Sequence, residues 1–356
     1  MKKKETELTH GGDWAGFEIE YGKPPLDYSA NVNPLGIPKE VQTAIAEAAA
    51  SSDRYPDPLC RELTQKLAEH EGVPQEWIFC GNGAAELIYQ FAAALQPKQA
   101  LLPVPSFSDY ESALLAAGCE PTFYPLSREN GFRLTEDILD AIGPETDLLM
   151  LCSPNNPTGR SVEKGLLLKI LNRCRETGTW LFLDECFYEL TDEDRAFSLT
   201  SQLRDGDRVF LLRAFTKAYG MAGLRLGYGV CMNRALLEVM CRLSQPWNVS
   251  TVAQAAGLAA LDCPDWPRKA RELYRAEKPW LYGQLTALSL AVLPGDANFL
   301  FFCGEPGLYE ALRERGVLIR DCANYRGLRP GDYRIAVRTH EENEALLGAI
   351  KEVLHV

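Results

Sequence analysis

The feature that most constrains the fold of this chain is a series of short apolar runs that alternate with longer, helix-like segments. The helix-like segments include residues 84–95 and 162–178. Apolar runs separated by helices are typical of strands buried on both faces, so they predict an α/β fold with a mostly parallel, doubly wound sheet. In such a sheet the functional site forms at the carboxyl ends of the strands. The predicted strands lie within residues 77–83, 100–107, 147–159, 180–187, 208–217 and 224–230.

The chain divides into three parts around this central pattern. Residues 41–250 contain all of the apolar runs above and predict a large domain. Residues 251–356 have longer helical stretches, and they predict a smaller α+β domain that ends in a helix. Residues 1–40 are irregular and rich in glycine and proline, so they predict an arm that joins the small domain and covers the site. The strand-like runs of the small domain lie at residues 298–304, 316–321 and 333–339.

Charge and composition exclude several classes of protein. The formal net charge of −12 argues against nucleic acid or an anionic membrane as a partner. The basic opening MKKKETELTH is not followed by an apolar segment, and no stretch is long and apolar enough to span a membrane, so we expect a cytoplasmic protein. The 11 cysteines form no CxxC pair and there are 4 histidines, which predicts neither a disulfide framework nor a metal site.

One lysine has an unusual setting, in the stretch RAFTKAYGMAGLRLGY at residues 213–228. Lys217 lies among small, aromatic and apolar residues, and glycines crowd the chain after it. Burying an ammonium group without a partner is costly, so a buried Lys217 would have a lowered pKa and would serve as a nucleophile toward a carbonyl group. The alternative is a surface lysine in a glycine-rich turn.

Three other strand ends carry groups that suit the same chemistry. Asp184 ends one apolar run, where a carboxylate either meets a cation or caps a helix. The segment SPNNPTG at 153–159 ends another run, as an asparagine-bearing site or an ordinary turn. The segment CGNGAAEL at 80–87 leads through glycines into a helix, and such a helix start can bind phosphate. Thr216 and Arg225 could add a hydroxyl and a cation to that phosphate.

Together these groups match the requirements of pyridoxal phosphate. The cofactor aldehyde needs a lysine, its pyridine nitrogen needs a carboxylate that holds the proton, and its phosphate needs a helix start. Each signal is weak alone, but all of them lie at strand ends of one predicted sheet. The sequence therefore predicts a pyridoxal 5′-phosphate enzyme.

From NVNPLG at 31–36 to YRIAVRT at 333–339, the sequence resembles the fold-type I pyridoxal phosphate enzymes of the class I/II aminotransferase superfamily. The resemblance implies that Lys217 forms the Schiff base with the cofactor and that Asp184 binds the pyridine nitrogen. It also implies that Asn156 donates a hydrogen bond to the phenolic oxygen of the cofactor and contacts the substrate.

The resemblance further implies the residues around the rest of the site. Phe107 would place an aromatic ring over the cofactor, and Arg334 would bind the substrate α-carboxylate. Tyr55 would reach the cofactor phosphate of a neighbouring subunit, which implies a homodimer. The phosphate ligands from the same chain would be Ala84, Ala85, Thr216 and Arg225.

Two positions depart from the family pattern. The family often has a tyrosine three residues after the aspartate, hydrogen-bonded to the phenolic oxygen, and this chain has Phe187 there. The family also often has Ser or Thr two residues before Thr216, and this chain has Ala214. The first departure argues against an ordinary transaminase, and the second predicts a phosphate site with fewer ligands.

Within the superfamily, the sequence is similar to the branch that contains the histidinol-phosphate aminotransferases and the threonine-phosphate decarboxylases of cobalamin biosynthesis. The segments THGGD (9–13), YSANVNPLG (28–36) and RDCANYRGL (320–328) favour the decarboxylases. His10 would close over a substrate phosphate as part of a mobile arm; alternatively, it is a surface group. The other residues that would bind substrate are Asn33, Arg320 and Arg338, and the two arginines are otherwise surface groups.

The residues and the resemblance leave three alternative functions. The first is decarboxylation of L-threonine O-3-phosphate or L-serine O-phosphate to the amino alcohol phosphate. The second is an aminotransferase of the histidinol-phosphate or aromatic type that uses 2-oxoglutarate. Both reactions need nearly the same residues, because they differ in which bond at Cα stands perpendicular to the cofactor ring. The third, a cofactor-binding regulator or an inactive relative, is disfavoured because the lysine, aspartate, asparagine and arginine are all present.

Overall fold

A computed structural model describes residues 10–191 and 197–355, in which helices alternate with strands through the centre of the chain. The helices are α1 (Trp14–Tyr21), α2 (Lys39–Ala49), α3 (Arg61–Glu71), α4 (Gly83–Leu95), α5 (Ser108–Ala116), α6 (Ile138–Ala141), α7 (Lys164–Thr177), α8 (Phe215–Ala218), α9 (Arg234–Leu243), α10 (Thr251–Leu261), α11 (Asp265–Ala287), α12 (Leu308–Glu314) and α13 (His340–Leu354). The strands are β1 (Leu26–Asp27), β2 (Ile78–Gly81), β3 (Ala100–Val104), β4 (Thr122–Pro125), β5 (Leu148–Cys152), β6 (Trp180–Asp184), β7 (Val209–Ala214), β8 (Gly227–Val230), β9 (Ala291–Leu293), β10 (Phe299–Cys303), β11 (Val317–Leu318), β12 (Arg320–Asp321) and β13 (Asp332–Ala336).

The apolar runs of the large domain form a central sheet of seven strands, in the order β2-β8-β7-β6-β5-β3-β4. Its strands are parallel except for β8, which runs antiparallel to β2 and β7. The predicted α/β fold with a mostly parallel sheet is therefore confirmed. Strand β4 was not predicted, because an edge strand is only half-buried and lacks the continuous apolar pattern of the others.

Both faces of the central sheet are buried, which explains why its strands are apolar throughout. Successive side chains of a strand point to opposite faces. Leu181 and Leu183 of β6 accordingly pack in one core cluster, whereas Phe182 packs in a second cluster together with Phe210. The rings of Phe182 and Phe210 stack with centroids 5.5 Å apart. Asp184 is two residues after Phe182, so its side chain points to the same face of the sheet as Phe182.

Strand β7 is shorter than the apolar run that predicts it. The pairing of β7 with β6 ends where Leu212 lies opposite Asp184. The residues of β7 after Leu212 therefore have no β6 residue to pair with. The next residues, Phe215–Ala218, form the single helical turn α8. Phe215 is buried and fixes this turn against the core, and Lys217 follows on the same turn.

A second, antiparallel sheet lies in the C-terminal part of the chain, in the order β12-β13-β10-β9. The arm is attached to this part, because β1 pairs in parallel with β11. Helix α10 instead packs on α2 and α3. The division at residues 40 and 250 remains a prediction, and residues 1–9 of the predicted arm lie outside the described residues. Within the described ranges, no helix combines the length and apolarity needed to cross a membrane.

Candidate active site

A cavity of about 720 Å³ opens at the carboxyl end of the central sheet. Strands β5, β6 and β7 reach it with their last residues, as expected for a doubly wound sheet. The arm and strands β12 and β13 close the opposite side. Of the residues predicted for the site, those that line the cavity are His10, Ala84, Ala85, Phe107, Asn156, Asp184, Thr216, Lys217, Arg225, Arg320, Arg334 and Arg338.

Lys217 lies on α8 and is half-buried where it lines the cavity. Its Nζ atom lies 5.5 Å from the centroid of the Phe187 ring. Burial and the nearby positive charge of Arg334 lower the pKa of Lys217 to about 8. Near neutral pH a larger fraction of this amine is therefore unprotonated than in an ordinary lysine, and the unprotonated amine is the form that attacks a carbonyl group.

Asp184 is a buried carboxylate at the end of β6. Its Oδ2 atom accepts a hydrogen bond of 2.6 Å from the hydroxyl of Tyr110, and its Oδ1 atom accepts one of 2.8 Å from the backbone N–H of Cys186. Burial raises the pKa of Asp184, whereas these hydrogen bonds and the charge of Lys217 oppose the rise. The carboxylate thus faces the cavity with Lys217 and does not serve as a helix cap.

Tyr110 is a residue of this site that the sequence analysis missed. It lies in α5 with its side chain fully buried, three residues after Phe107. Residues three apart share one face of a helix, so the spacing in PSFSDY was a usable signal once Phe107 had been placed over the site. What the sequence could not give was the contact between the Tyr110 side chain and the end of β6.

The start of α4 offers free backbone N–H groups to an anion. Ala84 and Ala85 lie in the first turn of α4, where backbone N–H groups are free of helix partners. The side chain of Arg225 lies against this turn, because a Cβ atom at Gly83 would be 2.7 Å from its Nη2 atom. Ala214 also lines the cavity, so Thr216 supplies the hydroxyl there.

Gly227 of β8 allows the start of α4 to lie close to the central sheet. A Cβ atom at that position would lie 2.7 Å from the backbone nitrogen of Ala84. Any larger residue would push the start of α4 away from the sheet.

Arg334 of β13 faces these groups from the second sheet. It is buried, and its Nη1 atom donates a 2.5 Å hydrogen bond to Oδ1 of Asn156. Its Nη2 atom donates to the backbone oxygen of Ser29 at 2.6 Å, and burial lowers its pKa. The hydroxyl of Tyr325 also donates to Oδ1 of Asn156, at 3.5 Å. The asparagine turn after β5 and the arginine of β13 therefore meet at one point.

A family match decides what kind of site this is. The family of aminotransferases of class I and II matches residues 23–350. The chain belongs to this family. Pyridoxal 5′-phosphate is the cofactor of the family and hence of this enzyme.

Relatives of this enzyme within the family include decarboxylases and aminotransferases. The threonine-phosphate decarboxylase of Salmonella typhimurium is 39% identical over 352 residues, which cover 97% of this chain and 96% of that protein. The histidinol-phosphate aminotransferase of Symbiobacterium thermophilum is 35% identical over 330 residues, which cover 91% of this chain and 89% of that protein. The crystal structure of L-threonine-O-3-phosphate decarboxylase from Porphyromonas gingivalis has a TM-score of 0.81 at 26% identity, and covers 93% of this chain and 99% of that chain.

The cavity of this class I and II enzyme fits its cofactor. The start of α4 with Arg225 and Thr216 would hold the phosphate, because it offers free N–H groups and a positive charge. Asp184 would hold the ring nitrogen and Lys217 the aldehyde. The ring of Phe107, which also lines the cavity, offers an apolar surface for the cofactor ring.

Three further basic side chains line the cavity, and each has a partner. Arg320 lies over the ring of Tyr325, with its Cζ atom 5.0 Å from the centroid, and donates to Asn324 Oδ1 at 2.7 Å. Arg338 donates to Glu342 Oε1 at 2.6 Å. The remaining group is the imidazole of His10, whose Nε2 lies 3.0 Å from an oxygen of Asp109.

Asn33 was predicted to bind substrate, but it does not line the cavity. Its side chain is buried, and Nδ2 donates to the backbone oxygen of Ala218 at 2.7 Å. Its backbone N–H donates to the oxygen of Lys217 at 3.1 Å. Because these polar groups are used to hold α8, we assign Asn33 to the support of the lysine segment rather than to substrate.

Tyr55 also lies outside the cavity of its own chain. Its side chain is 78% exposed and stacks on Trp247, with ring centroids 4.3 Å apart. The loop that carries it is tied to α10, because Gln254 donates to the backbone oxygen of Asp57 at 2.9 Å. Its contact with a partner subunit remains a prediction.

Proposed function

We propose that this enzyme removes the carboxyl group of L-threonine O-3-phosphate, or of L-serine O-phosphate, as CO₂ and releases the amino alcohol phosphate. The observation that carries the proposal is that four arginines line one cavity. Arg225 lies at the seat for the cofactor phosphate, which leaves Arg334 for one substrate anion. Arg320, Arg338 and His10 also line the cavity and would serve a second anion.

This arrangement suits a substrate with a carboxylate and a phosphate in one molecule. The two anions of phosphothreonine would be bound at once, the carboxylate at Arg334 and the phosphate near Arg320 and Arg338. Charge-assisted hydrogen bonds from a guanidinium fork recognise both groups well. The partners Glu342 and Asp109 would release Arg338 and His10 as the phosphate takes their place.

The residues of the chain divide the work of this reaction. Bound pyridoxal phosphate supplies an electron sink for the pair released when the bond from Cα to the carboxyl carbon breaks. Arg334 orients the carboxylate, Asp184 keeps the ring nitrogen protonated, and the Nζ atom of Lys217 delivers a proton to Cα after CO₂ leaves. The aromatic Phe187 lies beneath that amine and offers no hydroxyl that competes for the proton.

The second candidate is an aminotransferase of the histidinol-phosphate or aromatic type with 2-oxoglutarate as acceptor. The similarity to histidinol-phosphate aminotransferase favours it, since Lys217 would equally serve to move the Cα proton. We favour the decarboxylase because Phe187 replaces the usual tyrosine and the cavity offers cations for two anions. A role in cobalamin biosynthesis and a cytoplasmic location remain proposals based on the sequence.

Product analysis separates the two reactions. We expect the cofactor-loaded enzyme to convert O-phospho-L-threonine to aminopropanol phosphate without any keto acid, as followed by NMR. Histidinol phosphate with 2-oxoglutarate should give no glutamate. Glutamate formed only when the keto acid is present would contradict the decarboxylase and establish the aminotransferase. The Lys217→Ala protein serves as the inactive control.

We also propose that two copies of this chain form a dimer in which Tyr55 completes the cofactor phosphate site of the partner. The support is the exposed apolar surface around it, since Tyr55, Leu59 and Trp247 are all exposed. Exposed aromatic residues in a cluster are typical of interfaces.

Mixing two variants tests the shared site. Tyr55→Ala and Lys217→Ala should each be impaired alone, but a mixed dimer has one site with both native residues. Random exchange should restore about one quarter of the wild-type activity, because half of the dimers are mixed and each has one intact site of two. If activity stays absent although exchange is demonstrated, Tyr55 does not act across the interface.

A further inference from the structure

The carboxylate of Asp184 is held by neutral donors on both of its oxygens. Tyr110 donates its hydroxyl to Oδ2 at 2.6 Å, and Cys186 donates its backbone N–H to Oδ1 at 2.8 Å. The backbone donor is present with any side chain at position 186, whereas the hydroxyl depends on the tyrosine. The Cys186 thiol also bonds to Asp184, but Tyr110 lowers the pKa of Asp184 more, so Tyr110 is the side chain whose loss would change Asp184 most directly.

We propose that Tyr110 is a positioning residue that keeps Asp184 ionised and aimed at the cofactor, and so determines how firmly the ring nitrogen holds its proton. This inference depends on the cofactor and not on which reaction the enzyme catalyses. It applies equally to a decarboxylase and to an aminotransferase.

The packing around Tyr110 fixes its hydroxyl in place. The side chain is fully buried, and its ring meets Phe107 edge-on with centroids 5.6 Å apart. Phe182 meets it at 6.2 Å, also edge-on. Such contacts hold an aromatic ring in one orientation. Because Phe107 is also the ring predicted to cover the cofactor, one turn of α5 positions both groups.

The titratable groups around Asp184 make the hydrogen bond from Tyr110 important. The titratable groups that face it are Tyr110 from α5, Cys152 from β5, Cys186 from the following loop and Lys217 from α8. Burial raises the pKa of Tyr110 well above its usual value, so the hydroxyl stays a donor at physiological pH. Without that donor, the buried carboxylate is less stable as an anion, and the proton shared with the ring nitrogen moves toward the carboxyl group.

The test compares two tyrosines that each donate to a buried carboxylate. Tyr110→Phe removes the hydroxyl beside Asp184. The matched control is Tyr228→Phe, since the hydroxyl of Tyr228 donates to Glu71 Oε1 at 2.5 Å and the residue does not line the cavity. Cofactor affinity and the pH titration of the visible absorption band are measured for both variants, without substrate.

We expect the titration midpoint of Tyr110→Phe to rise by about one pH unit, because a hydrogen bond to a charged group is lost. A less positive ring withdraws less electron density from the nitrogen that joins Lys217 to the cofactor, so the pKa of that nitrogen rises. Affinity for pyridoxal phosphate should fall about 10-fold, since a charge-assisted hydrogen bond is lost. Tyr228→Phe should keep the wild-type midpoint and affinity.

Two further measurements separate positioning from packing. A cofactor analogue with carbon in place of the ring nitrogen should bind Tyr110→Phe and wild type equally. Replacing Tyr110 with 3-fluorotyrosine, whose hydroxyl is a stronger donor, should move the midpoint downward while keeping the packing; this variant also serves if Tyr110→Phe fails to fold. An unchanged midpoint in these variants, or an equal shift in Tyr228→Phe, would overturn the proposal.

Discussion

Replacement of Lys217 by alanine should abolish both turnover and the visible absorption band of the lysine-bound cofactor, while the fold stays intact. Among the described residues that line the cavity, Lys217 is the one lysine, so no neighbouring amine can take its place. We expect activity to fall by at least about 10³-fold, because both the covalent attachment and a proton-transfer group are lost. Absorption spectra, turnover and far-ultraviolet circular dichroism measure the three parts of this prediction.

A second lysine provides the control for this substitution. Lys164 of α7 also lies over an aromatic ring, with Nζ 4.7 Å from the centroid of Phe197, and it does not line the active-site cavity. Lys164→Ala should keep the band and the activity. A visible band that survives in Lys217→Ala would show that another residue binds the cofactor aldehyde.

The second large effect is expected for Asp184→Asn. The amide has nearly the same shape, but it carries no negative charge to hold a proton on the ring nitrogen. We expect kcat to fall about 10²-fold to 10⁴-fold, the range of a proton-holding group, while the cofactor still attaches to Lys217. Steady-state kinetics together with the visible spectrum distinguish this result from simple loss of cofactor.

Asp207→Asn is a suitable comparison, because Asp207 is also buried and pairs with Arg175 at 2.6 Å, away from the cavity. Breaking this pair should lower the thermal stability and leave kcat per folded molecule unchanged. If Asp184→Asn lowered stability as Asp207→Asn does and kept its kcat, the assignment of Asp184 to the ring nitrogen would be wrong.

The residues at strand ends could be predicted from the sequence because the parallel sheet determines where they lie. Asp184 and Lys217 follow apolar runs, and neighbouring parallel strands bring the ends of such runs to one edge. No long-range information was needed beyond the pattern of strands and helices. The same reasoning predicted an anion site at the start of α4.

Other contacts of the site depend on tertiary packing that no local pattern reveals. Arg334 and Asn156 are 178 residues apart in the chain, yet they share a hydrogen bond. Asn33 lies within a segment that resembles the family, but its amide turns toward Ala218 and away from the cavity. The hydrogen bond from Tyr110 to Asp184 likewise joins residues 74 positions apart. The direction in which a polar side chain points is the information that the sequence lacks.

The pairing of the arm links the position of the catalytic amine to the movement of the second sheet. Ala336 of β13 donates its backbone N–H to the backbone oxygen of Tyr28 at 2.8 Å, and a few residues later Asn33 donates its backbone N–H to the oxygen of Lys217 at 3.1 Å. This short span is therefore bonded at one end to the C-terminal sheet and at the other to α8. A rotation that opened the C-terminal sheet would therefore pull on the peptide of Lys217 through this span.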